Sequence, residues 1–375
     1  MSARAAFSQL TGAPAALAEA WAASGALLER RPDLVALFCS GEHSAEAHDL
    51  AELLSDLAPD AAVFGACAAD GVIGAGREQQ DGPALSLLAV TLPAGARVTP
   101  FHTQIGDGHD GPELVGLPSP PPGSLVLAIA DPHSTPVENL VDGLAGVPLL
   151  GGFAGLGERG AARLFTNGGC VEEGAVGVVL DGMAVRPIVS QGARPIGPEM
   201  VVTAAEGNLV LELAGVPALE RVQQVVAELP LTDRLLLENG LLIGLVIDEN
   251  RPEHGLGDFL VRGVIGADST TGALAIGDLP RVGQTVRLHV RDAESASREL
   301  DDLLARQEAE PASAALLFAC NGRGRSLFAK ADHDAGAVAR LLGSDAVAGC
   351  FCQGELGPVG GRTFVHGYTA SVALW

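Results

Sequence analysis

The segment Leu34-Val-Ala-Leu-Phe-Cys39 begins a pattern of elements that recurs along the chain. A helical stretch from about His48 to Leu57 follows it, and then come the apolar run Val63-Phe-Gly-Ala-Cys67 and the glycine-rich segment Gly71-Val-Ile-Gly-Ala-Gly76. The strand-like segment Ala84 to Leu92 closes the pattern. Short runs rich in Val, Leu and Phe predict buried strands, and the apolar spacing between them predicts a helix. The segment therefore predicts a strand–helix–strand opening.

The same order of elements occurs twice more. The second copy consists of Leu125 to Ala130, Val137 to Leu144, Pro148 to Gly152, the glycine-rich Gly155 to Gly160, and Gly174 to Leu180. The third consists of Ala315 to Cys320, Asp334 to Leu342, Ala346 to Cys350, the glycine-rich Gly354 to Gly361, and Thr369 to Trp375. Three matches in register indicate internal repetition.

The last strand of each copy follows a glycine-rich turn that is too short to hold a crossover helix. It is therefore expected to run antiparallel to its predecessor, whereas the first two strands are parallel. The fold class is predicted to be α/β or α+β, with mixed sheets, helices packed on them, and internally repeated βαββ-like units. The Ala-rich segment Met1 to Leu28 resembles an amphipathic helix, so residues 1–32 are predicted to be an N-terminal helical extension.

Composition excludes several classes of partner. The chain carries 46 acidic and 23 basic side chains, a net charge of −23, and no basic stripe, which argues against binding nucleic acid or anionic membrane. The N-terminus does not read as a signal peptide, and a cytoplasmic location is expected. The six cysteines lie mostly inside apolar segments, which favours reduced thiols.

Several motifs resemble those of the FIST family. The motifs of the third copy are Ala319-Cys-Asn-Gly-Arg-Gly324, His333-Asp-Ala335, Gln353-Gly-Glu-Leu-Gly-Pro358 and His366-Gly-Tyr-Thr369. Gly71 to Glu78 and Gly151-Gly-Phe-Ala-Gly155 resemble the N-terminal half of the family. The resemblance implies an N-terminal domain over residues 33–215, holding two copies, and a C-terminal domain over residues 216–375, holding the third.

The resemblance also implies a function. The family is regarded as a sensory module that binds small ligands such as amino acids, and its bacterial members are associated with histidine kinases, chemotaxis and cyclic-dinucleotide signalling. No effector segment is visible in this sequence, so we expect the signal to pass to a separate protein.

Polar residues gather where the predicted parallel strands end, which is where loops of open α/β sheets form binding sites. The candidate ligand-binding residues are Asn321, Arg323, His333, Asp334, Gln353, Glu355, His366, Thr369, Asp70 and Arg77. Arg323 would take a ligand carboxylate, and Glu355 would take a ligand ammonium. Simpler roles compete: Asp334 as a helix cap, Glu355 paired with Arg362, and Arg323 exposed to solvent.

Other chemistries remain open at this point. Cys320, Cys350 and Cys352 raise the possibility of a nucleophilic enzyme, although no hydrolase signature surrounds them, and we expect no enzyme activity. The pair Cys350 and Cys352 does not match zinc-site spacing, so no metal is predicted. No cofactor is expected, with haem as the alternative, for which His102, His289 and His366 are possible axial ligands. A protein-interaction scaffold is the third class.

Overall fold

The apolar runs of the sequence form the central strands of a mixed α+β fold. The structure is a computed structural model that describes residues 1–108, 111–157 and 160–375; of the predicted turn Gly155 to Gly160, Glu158 and Arg159 lie outside the described residues. The chain divides into two compact units. The repeat unit comprises Met1–Val189 and Leu300–Trp375, and the inserted unit comprises Ser190–Glu299.

The first two copies occupy the chain up to Asp181. The first copy contains β1 (Ser2–Ser8), α1 (Ala13–Ala23), β2 (Leu34–Ser40), α2 (Ala47–Leu57), β3 (Ala62–Ala68), β4 (Val72–Gly74), β5 (Arg77–Gln79) and β6 (Leu85–Thr91). The second contains β7 (Arg97–Gly108), β8 (Gly111–Val115), β9 (Leu125–Ala130), α3 (Val137–Gly143), β10 (Leu149–Phe153), β11 (Leu164–Thr166), β12 (Gly169–Val171) and β13 (Ala175–Asp181).

The third copy begins with β14 (Arg186–Ser190) and is then interrupted by the inserted unit. The intervening elements are β15 (Arg194–Glu206), β16 (Leu209–Leu213), β17 (Val216–Pro217), α4 (Ala218–Glu228), α5 (Leu231–Leu236), β18 (Leu242–Val246), β19 (Phe259–Ala267), β20 (Leu274–Ile276), β21 (Thr285–Val290) and α6 (Ala293–Ala305). The copy resumes with β22 (Ala315–Cys320), α7 (His333–Leu342), β23 (Val347–Cys352), β24 (Glu355–Val359), β25 (Arg362–His366) and β26 (Ala370–Leu374).

Each copy builds its own sheet in the way the sequence predicts. In each copy the two strands that flank a crossover helix are parallel, as β2–β3, β9–β10 and β22–β23. The last strand of the copy pairs antiparallel with the first of these two, as β6–β2, β13–β9 and β26–β22. The predicted mixed sheets are therefore confirmed.

The glycine-rich turns form short hairpins, and each hairpin joins the sheet of another copy. Hairpin β4–β5 of the first copy pairs with β23 of the third. Hairpin β24–β25 of the third pairs with β10 of the second, and hairpin β11–β12 of the second pairs with β3 of the first. The three copies thus exchange hairpins in a closed cycle.

One glycine in each copy fixes the approach of the paired strands. Gly65, Gly151 and Gly349 have φ of 150°, 147° and 154°. A Cβ at these positions would lie 1.7, 1.7 and 1.8 Å from the carbonyl oxygens of the facing strand residues, Leu37, Ala128 and Leu317 respectively. Because no side chain fits there, these glycines mark structurally equivalent positions and give an alignment of the three copies that is independent of sequence.

Alternation along the central strands separates two kinds of core. Inward residues of all three copies share one cluster, in which Phe38 packs edge-on against Phe64 and Phe318 with ring centroids 6.1 and 6.0 Å apart. Outward residues pack under helices: α1 and α2 cover the first copy and α3 covers the second, while α6 and α7 cover the third. Both faces of each central strand are therefore buried, which explains the nearly continuous apolar runs.

The prediction of a helical extension over residues 1–32 needs correction in its first part. Ser2–Ser8 forms an edge strand in register with β6, and the helix is limited to Ala13–Ala23. The buried residues of the strand are Ala3, Ala6 and Ser8, so its burial does not follow a strict period of two, and the Ala-rich composition of the segment does not reveal a strand. The residues before the first predicted strand therefore belong to the first copy.

The spatial division of the chain differs from the division along the sequence at residues 215 and 216. The inserted unit lies between β14 and β22 and contains a sheet of order β15-β21-β18-β19-β20-β16-β17. Among the described residues, no helix combines the length and apolarity that crossing a bilayer requires.

Candidate functional site

The carboxyl ends of β22 and β23 bring several predicted residues together. Cys320 lies opposite Cys352 in the parallel register, and the Asn321 backbone N–H donates to the Cys352 carbonyl at 2.8 Å. The Cys320 N–H donates to the Thr369 carbonyl at 2.9 Å. Asn321 is half-buried and Gln353 is exposed. We call this region, residues 320–323, 353–355 and 366–369, the third-copy edge.

Arg323 lies at the bottom of its loop and is fully buried. Its Nε donates to Asp334 Oδ2 at 2.6 Å and its Nη2 donates to Asp334 Oδ1 at 2.9 Å, while Nη1 donates to the Tyr368 carbonyl at 3.3 Å. Burial opposes ionisation of Asp334, but the guanidinium outweighs it and lowers the Asp334 pKa to about 2. The Arg323 guanidinium therefore pairs with the carboxylate of Asp334 inside the protein. The sequence had predicted that it pairs with the carboxylate of a ligand.

Glu78 caps the N-terminus of α7 from another copy. Its Oε1 accepts hydrogen bonds from the backbone N–H groups of Asp334 at 2.8 Å and Ala335 at 2.9 Å, and the Glu78 N–H donates to Asp332 Oδ1 at 2.7 Å. Burial, followed by the nearby Asp334 charge, raises the Glu78 pKa to about 7. The expectation that Asp334 caps this helix is therefore wrong, because its carboxylate is committed to Arg323.

His333 completes this charged group. Its Nδ1 lies 2.8 Å from Asp334 Oδ1, and its ring stacks on Phe328 with centroids 3.5 Å apart. The Arg323 guanidinium lies 5.3 Å from the centroid of the same Phe328 ring. His333 and Asp334 therefore hold Arg323 and its loop in place.

Glu355 is a fully buried carboxylate. Its Oε2 accepts the backbone N–H of Thr369 at 3.0 Å. Burial and then the Glu355 charge raise the pKa of the Cys320 thiol to about 11. Arg362, the alternative partner, lies opposite Val359 at the far end of the hairpin, with its guanidinium 5.6 Å from the Phe364 ring centroid.

Glu355 departs from the repeat. Glu355 pairs with Gly152 of β10, the residue that follows Gly151. Leu164 and Val72 occupy the same position relative to Gly65 and Gly349 and are likewise fully buried. Two copies thus place an apolar side chain where the third places a carboxylate.

The remaining predicted residues divide between this edge and the hairpin of the first copy. His366 is directly across from Glu355 in the β24–β25 hairpin, is buried, and its Nε2 lies 3.0 Å from the Gly357 carbonyl. Thr369 is fully buried. Half-buried Asp70 precedes β4 near the end of β23, where the Phe351 N–H donates to the Gly71 carbonyl. Exposed Arg77 begins β5 opposite Gly74, which pairs with Ala348 near the start of β23, so Arg77 lies away from the third-copy edge.

Glu78 and Tyr368 were not among the candidate residues predicted from the sequence. Glu78 lies 256 residues from Asp334, and only the hairpin exchange brings the two together. Tyr368 adopts a φ of 61°, which turns its carbonyl toward Arg323 while its ring stays 46% exposed at the third-copy edge. A non-glycine residue with positive φ has no signature in sequence.

Five of the six cysteines are buried, and Cys170 is half-buried. Burial raises the pKa of Cys170 to about 12 and that of Cys39 well above its ordinary value, so both thiols are protonated at neutral pH. Within the described ranges, no group of three or more His, Cys, Asp or Glu side chains could hold a metal ion. His102 and His289 each contact a backbone carbonyl at 3.0 Å, as His366 does.

Comparison with known proteins places the chain in a family. The FIST N domain profile matches residues 33–216 and the FIST C domain profile matches residues 218–358. The chain belongs to the FIST family, whose domains are associated with sensory roles in signal transduction.

Two relatives show how far the similarity extends. The chain is 40% identical over 353 residues to Uncharacterized protein Rv0628c of Mycobacterium tuberculosis, covering 92% of this chain and 91% of the relative. It is 38% identical over 370 residues to Uncharacterized protein Mb0898c of Mycobacterium bovis, covering 96% and 95%. The similarity thus spans the repeat unit and the inserted unit alike.

Proposed function

We propose that this protein is a cytoplasmic small-ligand sensor that binds an amino-acid-like metabolite at the third-copy edge and signals to a separate protein. One observation carries the proposal: Glu355 is a fully buried carboxylate at a position where the other two copies bury Val72 and Leu164. The other two copies fill this position without a charge, and a carboxylate there can accept a charge-assisted hydrogen bond in addition to the Thr369 N–H that Oε2 accepts. Glu355 is suited to receive a ligand ammonium.

The rim of the edge offers groups for the other end of such a ligand. Asn321 is half-buried, Gln353 is exposed, and both carry amide donors that suit a carboxylate. Arg323 acts as a positioning residue in this scheme, since Asp334 and the Tyr368 carbonyl occupy its donors and hold the loop that carries Asn321. Ligand entry requires the loop around exposed Tyr368 to move, which gives binding a structural consequence to transmit.

Candidate recipients of the signal are the classes associated with the family: histidine kinases, chemotaxis proteins and cyclic-dinucleotide enzymes. A protein-interaction scaffold is the competing function. It predicts that the purified protein retains a partner chain and no metabolite.

The test combines ligand identification with one substitution. Mass spectrometry of metabolites released from the purified protein, followed by calorimetry with an amino-acid panel, should identify a binder. Glu355→Gln keeps an acceptor for the Thr369 N–H but removes the charge, and we expect at least tenfold weaker binding, about 1.4 kcal/mol. Glu52→Gln, an exposed change on α2, is the matched control and should bind as the native protein does.

Unchanged affinity in a folded Glu355→Gln variant would refute the site. Failure to find any retained or added small ligand, together with a stable co-purifying protein, would favour the scaffold.

A further inference from the structure

A cavity lies at the end of β22 and β23 opposite to the third-copy edge. Its volume is about 340 Å³, and its walls are residues 1–5 of the chain, Ser313 before β22, and Ser344 to Ala346 before β23. Sites for small molecules commonly have volumes of roughly 300 to 1,000 Å³. No motif of the sequence pointed to this place, because its walls come from segments more than 300 residues apart.

Charged side chains of opposite sign line this cavity. Arg4 and Asp345 are both exposed and both contribute to its wall. One guanidinium nitrogen of Arg4, Nη1, donates to the Ala3 carbonyl at 3.3 Å. The hydroxyls of Ser313 and Ser344 add polar groups to the same wall. This lining matches a molecule that carries a carboxylate and an ammonium group.

The open edge of β1 adds backbone groups. Strand β1 is the outermost strand of its sheet. The Ser40 N–H donates to the Ala84 carbonyl, and backbone groups of successive residues in a strand point to opposite sides. The backbone groups of even-numbered residues in β6 therefore bond to β2, and those of odd-numbered residues bond to β1. In the β1–β6 register, this leaves the N–H and C=O groups of Ala3 and Ala5 directed away from β6. Both residues line the cavity, where an extended ligand could pair with them.

We propose that this cavity is a second ligand site, which binds zwitterions of amino-acid to dipeptide size. Arg4 takes the carboxylate, Asp345 takes the ammonium, and the edge of β1 takes the amide of a dipeptide. The site shares strands β22 and β23 with the third-copy edge but shares no residue with it. The proposal therefore extends beyond the sensor site built on Glu355.

Nuclear magnetic resonance titration of the full chain tests this site directly. The probes are free amino acids, simple dipeptides such as Gly-Gly and Ala-Ala, and their N-acetylated forms. We expect saturable shifts of the Ala3 and Ala5 amide signals, and about tenfold weaker binding in Arg4→Gln and in Asp345→Asn. N-acetylation should weaken binding to the native chain but have no further effect on Asp345→Asn, because the group that reads the ammonium is already gone. Tighter binding of dipeptides than of amino acids would assign a role to the β1 edge.

The control is an exposed ion pair elsewhere in the repeat unit, Arg31 with Asp60, whose atoms Nη1 and Oδ2 lie 3.1 Å apart. Arg31→Gln and Asp60→Asn should leave the ligand-induced shifts of the Ala3 and Ala5 amide signals unchanged. Absence of binding by every probe, or binding that Arg4→Gln and Asp345→Asn do not weaken, would overturn the proposal. A ligand lost in Glu355→Gln alone would overturn this second site while leaving the proposed sensor function intact.

Discussion

Arg323 and Asp334 form a two-pronged ion pair in the protein interior, with Nε to Oδ2 at 2.6 Å and Nη2 to Oδ1 at 2.9 Å. Both side chains are at most 1% exposed, so removing one charge leaves the other buried without compensation. We expect Asp334→Asn to lower the free energy of unfolding by about 3–5 kcal/mol, measured by urea denaturation. The exposed change Asp60→Asn should cost less than about 1 kcal/mol. Equal effects of the two changes would show that the Arg323 pair does not stabilise the fold.

The repeat-defining glycines give a second prediction. Alanine at Gly65, Gly151 or Gly349 would place a Cβ within 1.8 Å of a carbonyl oxygen of the facing strand and in a strained backbone region. We expect each substitution to destabilise the protein by more than about 4 kcal/mol or to abolish soluble expression. Gly168→Ala, where no atom lies within 4 Å of an added Cβ, should be tolerated. Tolerance at one of the three positions would contradict their structural equivalence.

Glu78 should make stability depend on pH in the acidic to neutral range. Its folded pKa is about 7 against an ordinary value of 4.5, so between these values the folded chain keeps a proton that the unfolded chain has released. The free energy of unfolding therefore falls as pH rises from 4.5 to 7, by at most about 3 kcal/mol, and this contribution is constant above pH 7.

Glu78→Gln removes the titrating group but keeps an acceptor for the α7 N–H groups. Urea denaturation at several pH values between 4.5 and 8 should show a flatter profile for this variant than for the native chain, whereas Glu52→Gln should leave the profile unchanged. Parallel profiles for the native chain and Glu78→Gln would show that Glu78 does not titrate in this window.

Thiol labelling separates a sensor from a cysteine enzyme. Burial is the first cause of the raised Cys320 pKa of about 11, so very little thiolate forms at pH 7.5. We expect slow reaction of the native chain with an aromatic disulfide reagent and fast reaction of all six cysteines in urea. Half-buried Cys170 should react first in the native chain. Rapid native labelling of Cys320 would instead support nucleophilic chemistry at the third-copy edge.

Local patterns in the sequence were sufficient to predict the repeated units and their strand directions. Buried strands such as Leu34–Ser40 are short continuous apolar runs. Gly65, Gly151 and Gly349 lie in the corresponding strand of each copy, which is β3, β10 or β23. The loop residues Asn321 and Gln353 were correctly placed together, because parallel strands end at a common edge. These features depend on periodicity and on turn length, which a sequence displays directly.

Long-range pairing could not be predicted in the same way. Hairpin β4–β5 has two strands of three residues, and nothing in Val72–Gly74 indicates that its partner strand is β23. The contact of Glu78 with α7 follows from that pairing, as does the internal partner of Arg323. A candidate residue can therefore be recognised from its loop, but whether its charge meets a ligand or another side chain depends on which copy supplies the neighbouring hairpin.

The closed cycle of exchanged hairpins also limits how the gene can be shortened. A fragment that contains only one copy would have a hairpin with no sheet to join. Its own sheet would lack the hairpin that another copy supplies, and the unpaired strand edge would favour aggregation. Three separate fragments could regain those pairings only by associating as a trimer around a common axis. Truncated versions should therefore keep all three copies. A destabilising change in one copy should reduce the folding cooperativity of all three.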